Sequence, residues 1–506
     1  MNQKAKPSVG IVGAGLAGIS AACALADGGH VVTLFERRPF IGGRASSYEH
    51  PGTGEVVDNC QHVLLGCCTN LLDLYRRIGG EQKIRWYDRL TFLEPGGRSS
   101  EISPSLLPAP FHTALSFLNA KSLSFGDKLG IARAMFAMVA SLPPDSSEDF
   151  LSWLRRHGQT QRAIDRFWKV VLVSALNEDL DRTSVHYAAQ VFRESFLKSA
   201  EAGRMGVPTV PLTELYNAGV DYIRARGGEV LLRCPVGSVA AQGGSVVITA
   251  GGESERRPHR FDCAILAVPY YQLEKLIAPE AAAEPSPPAA ALLENDSSET
   301  ENALLEKVRR FESSPITGIH LWFDRRITSL DHAVLLDRTI QWMFHKSQLL
   351  DRHRRPAPTT EKGAAGADAA AGAVIGGSYV ELVVSASKSL VNMQRQPIID
   401  LALKELAEFF PEVKNARLLK AAVIKEVHAT FSVQPLSDAY RPPAATAWPR
   451  IFLAGDWTAT SWPATMEGAV RSGYLAAEAA SRFSGEGQRF LQPDLPAKGF
   501  MRLFRK

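Results

Sequence analysis

The sequence predicts an α/β protein: a discontinuous, Rossmann-like dinucleotide-binding domain with a mixed-sheet and helical second domain interleaved in it. Three observations carry this expectation. The chain opens on strand, glycine turn, helix and second strand in VGIVGAGLAGISAACALADGGHVVTLFE, residues 9–36. Patterns suited to the same sheet return much later, in EVLLRCPVGSVAA with FDCAILAVP, and again in RIFLAGDWTATSWPATMEGAVRSGYLAAEAASRF. At 506 residues the chain is long enough for two or three cores. Residues 1–80, 205–275 and 425–485 are therefore assigned to the nucleotide domain, and 81–204 with 305–424 to a substrate-binding domain.

In the opening motif the turn Gly13-Ala14-Gly15-Leu16-Ala17-Gly18 is GxGxxG between a strand and a helix, the context in which it binds a dinucleotide. The first glycine permits the tight turn, the second lets backbone approach a pyrophosphate, and the third lets helix pack on strand. The helix start adds N–H groups and a positive dipole end. Glu36, followed by Arg37, closes the second strand where a carboxylate accepts ribose hydroxyls.

Downstream, VVDNCQHVLLGCCTNLLDLYRRIGG reads as a loop feeding an amphipathic helix ended by Gly79-Gly80. Asp58, Asn59, Gln61 and His62 crowd polar groups ahead of an apolar run, either as caps and turns or as groups projecting into a cavity beside the cofactor. Residues 104–142 are mostly apolar, as in a buried helical domain or a face lying in a membrane interface. Helical patterns continue to residue 198, and the turn-rich RMGVPTVPL leads into another helix. Residues 280–304 and 356–373 are rich in Ala, Pro, Ser, Gly and Glu, lack the apolar area that offsets ordering entropy, and read as disordered inserts. GIHLWFD, IQWMFHK and SYVELVVSA alternate as strands do. Residues 451–454 form a buried strand, Gly455-Asp456 a turn and 466–483 a helix with small residues on its packing side. A basic tail, 486–506, ends in KGFMRLFRK, either a frayed end or an attachment to anionic lipid.

Composition excludes several classes. Net charge is +4, and no basic-aromatic module is present, so no nucleic-acid partner is expected. The six cysteines show neither CxxC nor metal spacing, which implies free thiols in a reducing compartment and no metal. With no signal-peptide pattern and no run of about 18 apolar residues, the expected location is cytoplasmic, peripheral on the inner face of the cytoplasmic membrane.

Four segments resemble the flavoprotein family that contains the amine oxidases and phytoene desaturases: the opening motif, Ile41-Gly42-Gly43-Arg44, Val236 in RCPVGSV, and Gly455-Asp456 running on to Thr465-Met466-Glu467-Gly468. The resemblance implies FAD, held rather than exchanged. It places Gly42, Gly43, Arg44, Gly455 and Asp456 near the pyrophosphate and the Val236 main chain at adenine. It aims the backbone of Thr465 to Gly468 at the flavin edge where negative charge gathers on reduction. Amine oxidases carry an aromatic residue before Met-Glu-Gly, so Thr465 counts against amine oxidation. VDNCQHVLLGCCTNLLDLYRRIG, RMGVPTVPLTELY and FLAGDWTATSWPATMEGAVRSGY together resemble the hydroxysqualene dehydroxylases, or squalene-associated FAD-dependent desaturases. Two residues depart from that pattern: Cys60 and Ser461 stand where the family has glycine.

That resemblance implies reductive removal of the hydroxyl of hydroxysqualene, giving squalene and water in bacterial squalene and hopanoid biosynthesis, with an external electron donor. Protonation lets an allylic hydroxyl leave as water, and reduced flavin gives hydride to the cation left behind. His62 or Asp58 is the expected proton donor, with Trp462 facing the cation. The alternatives are a carotenoid-type desaturase oxidising an isoprenoid and a non-catalytic isoprenoid carrier on the same fold.

Overall fold

The computed structural model describes residues 6–140, 142–252, 255–277, 300–350 and 377–504. A five-stranded sheet runs in the order Glu229–Leu231, Val31–Phe35, Ser8–Val12, Cys263–Leu266, Ile451–Leu453. All four pairings are parallel. Strands Ser8–Val12, Cys263–Leu266 and Ile451–Leu453 are short, apolar and almost wholly buried, as strands are when both sheet faces are covered. Helix Leu16–Asp27 packs directly on helix Met466–Phe483, so the first and last motifs of the sequence share one layer. Glycine makes that approach possible. A Cβ on Gly473 would sit 2.2 Å from the Ala17 carbonyl oxygen and 2.1 Å from Ser20 Oγ.

The second domain is built on a seven-stranded sheet, ordered Leu418–Phe431, Ser313–Phe323, Ser378–Ser385, Trp342–Phe344, His332–Leu335, Leu90–Leu93, Ser99–Ile102. Side chains alternate across it. Ile319, Leu321, Val380 and Leu382 bury one face under helix Arg395–Phe409, joining Ile398 and Leu406 in one core. The opposite face carries Trp322 and Tyr379 against Val57, and Val383 with Phe344 against Cys60 and Met205. That face confronts the polar segment after Asp58. A small sheet of Leu64–Leu65, Met205–Pro208 and Ile84–Tyr87 closes the same space.

Three boundaries differ from expectation. Residues 425–431 belong to the edge strand of the seven-stranded sheet, not to the nucleotide sheet. Of the insert expected at 280–304, residues 301–304 open helix Glu301–Val308, because Thr300 caps it by accepting the Ala303 N–H at 3.3 Å; residues 280–299 and the whole of 356–373 lie outside the described residues. The basic tail, up to residue 504, is folded down. Lys498 N–H donates to the Lys198 carbonyl at 3.0 Å, Phe500 N–H to Ala109 at 2.9 Å, and Met501 is buried. Nor is the apolar stretch at 104–142 simply interior. Helix Phe125–Ala140 buries Ile131, Ala134, Met138 and Val139, but turns Phe125, Leu129 and Phe136 outward. Among the described residues, no helix is long and apolar enough to cross a membrane, and no cluster of His, Cys, Asp or Glu is arranged to hold a metal ion.

Candidate active site

The dinucleotide cradle is made mainly of backbone. Strand Ser8–Val12 ends at Gly13, whose φ of +101° only glycine adopts readily, and whose N–H donates to the Phe35 carbonyl at 2.8 Å. A Cβ on Gly18 would lie 1.9 Å from the Gly13 carbonyl oxygen, so the helix can start only where it does with glycine there. Gly42 donates its N–H to Ala14 O at 2.8 Å, laying the Gly42-Gly43 turn beside Gly15. Two strips of bare main chain thus run side by side with no Cβ between them. Leu16 and Ala17, buried in the first helical turn, hold that helix against the core.

Glu36 is buried and oriented: its carboxylate accepts the N–H of Ala14 at 2.9 Å and of Arg38 at 2.8 Å. The Glu36 carbonyl takes the N–H of Cys234, which brings Val236, two residues on, to the same end of the cradle. Arg37 is exposed at the rim. At the other end Arg44 bridges the motifs, donating to Asp456 Oδ1 at 2.5 Å and to the Ala429 carbonyl at 2.9 Å. Gly455, at φ +146°, donates its N–H to Ser472 Oγ. A cleft of about 760 Å³ lined by Tyr270, Tyr271, Phe311 and His428 opens on this side, His428 being the neighbour of Ala429.

Helix Met466–Phe483 is capped by Thr465, whose Oγ1 accepts the Gly468 N–H at 3.0 Å. The Glu467 side chain turns away from the cradle. It caps helix Thr69–Arg77 by accepting the Leu71 N–H at 2.8 Å, and also binds Arg471 at 2.8 Å. Its part in cofactor binding is therefore limited to its main chain. Met466 Sδ receives the Tyr216 hydroxyl at 3.7 Å.

The residues expected to do the chemistry are placed differently from expectation. Asp58 is not a proton donor. Lys346 Nζ lies 2.6 Å from its Oδ2, Ser47 Oγ donates to its Oδ1 at 2.5 Å, and although burial pushes its pKa up, the Lys346 ammonium holds it below the ordinary carboxylate range. His62 is half-buried, and its Nδ1 donates to the Cys60 carbonyl at 2.8 Å. Burial lowers its pKa, so the ring is neutral with Nε2 unprotonated, which suits it to accept a proton before it gives one. Trp462 does not await a substrate cation either. The Arg471 guanidinium lies 4.7 Å from its ring centre, and the indole packs on Cys67 and Ala202.

Two buried charged residues beside Asp58 escaped sequence reasoning. Lys346, 2% exposed, is held by Asp58 and by Gln61 Oε1 at 2.7 Å, with Glu381 at 3.4 Å. Glu381, fully buried on the central strand, is pushed up to about 7 by burial first, against the pull of Lys346. The available signal was a lone charge set against an apolar run: Glu381 within YVELVV, and Lys346 opening the helix just after strand Trp342–Phe344 in WMFHK.

Bare backbone, a buried and oriented carboxylate at Glu36, a bridged arginine and a capped helix start fit FAD, so the fold and site define a flavin-dependent oxidoreductase. The chain belongs to the flavin containing amine oxidoreductase family, whose model matches residues 16–481. It is 28% identical over 502 residues to the 15-cis-phytoene desaturase of Synechococcus elongatus, covering 95% of this chain and 97% of the relative. It is 26% identical to a probable zeta-carotene desaturase from the same organism, covering 93% and 98%. A putrescine oxidase bound to putrescine shares the fold with a TM-score of 0.66 at 15% identity, covering 95% of this chain and 99% of that one. FAD is the cofactor, and hydride transfer is the chemistry it supplies when bound. A non-catalytic carrier does not fit so complete a cradle.

Proposed function

We propose that the protein acts on a long isoprenoid and removes the hydroxyl of hydroxysqualene reductively, yielding squalene and water. The observation that carries this reading is the meeting of the three segments that resemble hydroxysqualene dehydroxylases. Cys60 and Met205 share one apolar cluster, with Val63, Leu65 and Trp342 half-buried against it, and Leu65 also touches the cluster of Cys67 and Trp462. The wall they form is apolar, as a hydrocarbon requires, with the ionic group of Asp58, Lys346 and Glu381 immediately behind it. The residues hold the cofactor and exclude water; hydride comes from bound FAD, recharged by an external donor.

Carotenoid-type desaturation is the second reading. The names of the phytoene and zeta-carotene desaturase relatives favour it, as does a neutral His62 whose Nε2 can accept the proton that desaturation releases. Product analysis separates the two. Holoprotein given hydroxysqualene and a chemical reductant should form squalene and should leave phytoene unchanged under oxidising conditions; the opposite pattern would make it a desaturase.

The same proposal extends to a membrane surface, the route by which such a substrate arrives. Phe125 is 75% and Leu503 78% exposed, with Leu129, Phe136 and Phe500 also outward. Phe111 and Phe500 touch, ring centres 6.2 Å apart, so the helical layer and the chain end form one face. Lys121, Arg133 and Arg502 stand exposed among them, while Asp127, the sole acid within residues 103–140, is buried. Apolar side chains with a basic fringe suit an anionic bilayer. Phe136→Ser with Leu503→Ser should reduce flotation with anionic liposomes about tenfold; unchanged flotation would remove the membrane from the account.

A further inference from the structure

We propose that Asp58, Lys346 and Glu381 form a buried one-proton store that acts through Gln61 and His62 on the cavity, exchanging the proton that the isoprenoid reaction moves. This deepens the functional reading above and rests on it.

The geometry is that of one ammonium shared unequally by two carboxyl groups. Lys346 Nζ gives one hydrogen to Asp58 Oδ2 at 2.6 Å and another to Gln61 Oε1 at 2.7 Å, leaving the third for Glu381 at 3.4 Å. Asp58 has further donors in Ser47 Oγ and the Leu212 N–H. Glu381 has only that long Lys346 contact, and neither of its buried oxygens has a well-formed hydrogen bond. A second carboxylate so poorly supplied with donors in a closed site is far costlier than a carboxylic acid, so the surplus proton resides on Glu381. Among the described residues, no other group nearby competes for it. His320, opposite Glu381 in the sheet, is neutral, held down to about 3 by burial, with Nδ1 at 2.9 Å from the Tyr379 hydroxyl. Cys60 is a thiol pushed well up by burial and by Glu381 itself. His50 adds only a distant charge to His320.

Gln61 ties the store to the His62 segment. Its Oε1 receives Lys346, and its Nε2 donates to the His62 carbonyl at 3.0 Å. Asp58 raises and Lys346 lowers the pKa of His62, so the charge of the store reaches the ring. When the Glu381 O–H breaks and an N–H forms at His62 Nε2, the store gains one negative charge and the ring one positive charge. No electrons move. Hydroxyl removal then breaks that N–H as the leaving water gains its O–H, and the hydride is what reduced FAD would supply when bound. Desaturation runs the proton the other way.

Glu381 acts through other residues, so its test needs a readout beyond rate. In holoprotein without isoprenoid, infrared titration should show a carboxylic acid ionising near pH 7, lost in Glu381→Gln, while the NMR titration of His62 shifts. With hydroxysqualene, Glu381→Gln should slow single turnover about tenfold and erase the ionisation near 7 from the pH profile. Glu381→Leu, a buried apolar replacement, serves if the glutamine variant folds poorly. Turnover with no Glu381 ionisation overturns the store and spares the functional reading. A Glu381 ionisation with neither isoprenoid converted overturns the functional reading, and with it the proton's use.

Discussion

The flavin cradle and the ionic wall of the seven-stranded sheet solve two binding problems with opposite materials. The cradle binds through main chain, so its requirement is the absence of side chains: Gly13, Gly18 and Gly42 each have a carbonyl oxygen within 2.5 Å of where a Cβ would stand. The wall works through charged side chains taken out of water, and its requirement is mutual satisfaction. Lys346 holds Asp58, far away in the sequence, tightly, while Glu381 has only its longer contact with the same ammonium. A cradle of this kind fails by steric intrusion, whereas the wall fails by leaving charge unpaired.

The largest effect should come from intrusion. Gly18→Val drives side-chain carbon into the Gly13 carbonyl and should cost about 4 kcal/mol or more, so that the purified protein carries no flavin absorbance. Lys346→Met comes next. It strands Asp58 and Glu381 together and should destabilise the protein by about 3–5 kcal/mol in denaturant titration. If it costs less than about 1 kcal/mol, the wall is not a closed ionic unit.

Acid titration sharpens the contrast within the wall itself. Glu381, raised from 4.5 to about 7, binds its proton more tightly folded than unfolded. Its contribution of about 3 kcal/mol is complete below pH 4.5 and is lost as pH rises through 7. Asp58 is shifted downward, so its contribution is present above the ordinary carboxylate pKa and disappears as pH falls through the depressed one. Glu381→Gln should therefore flatten the stability curve between pH 4.5 and 7 while leaving the acid limb of Asp58. The smallest effect belongs to the cradle's helix cap: Thr465→Ala removes the Gly468 acceptor and should cost about 1 kcal/mol in thermal melts.

This contrast also explains what could be read from the sequence. A main-chain site must write its demands locally, as glycines at fixed spacing beside a strand and a helix, and the parallel sheet with its paired first and last helices follows from those motifs. Arg44 and Asp456 were legible because each lies within such a motif, although their ion pair was not. Lys346 and Glu381 show locally only a lone charge against an apolar run, which names no partner. Strand Ser378–Ser385 places Glu381 opposite Asp58 only because the seven-stranded sheet packs there, a consequence of long-range topology. The same limit explains Asp58 and His62. That they form a polar cluster could be anticipated, but the partner that keeps Asp58 ionised and the carbonyl that fixes the His62 tautomer could not. Trp462 and Glu467 were similarly claimed by Arg471, a helical neighbour whose role periodicity alone leaves open.

The most direct measurement is an anaerobic single turnover. Holoprotein, reduced stoichiometrically and freed of excess reductant, is mixed with hydroxysqualene while flavin absorbance and products are followed together. The account predicts reoxidation of the bound flavin in step with one squalene formed per flavin. Flavin that stays reduced in the presence of hydroxysqualene, with no squalene formed, would contradict it.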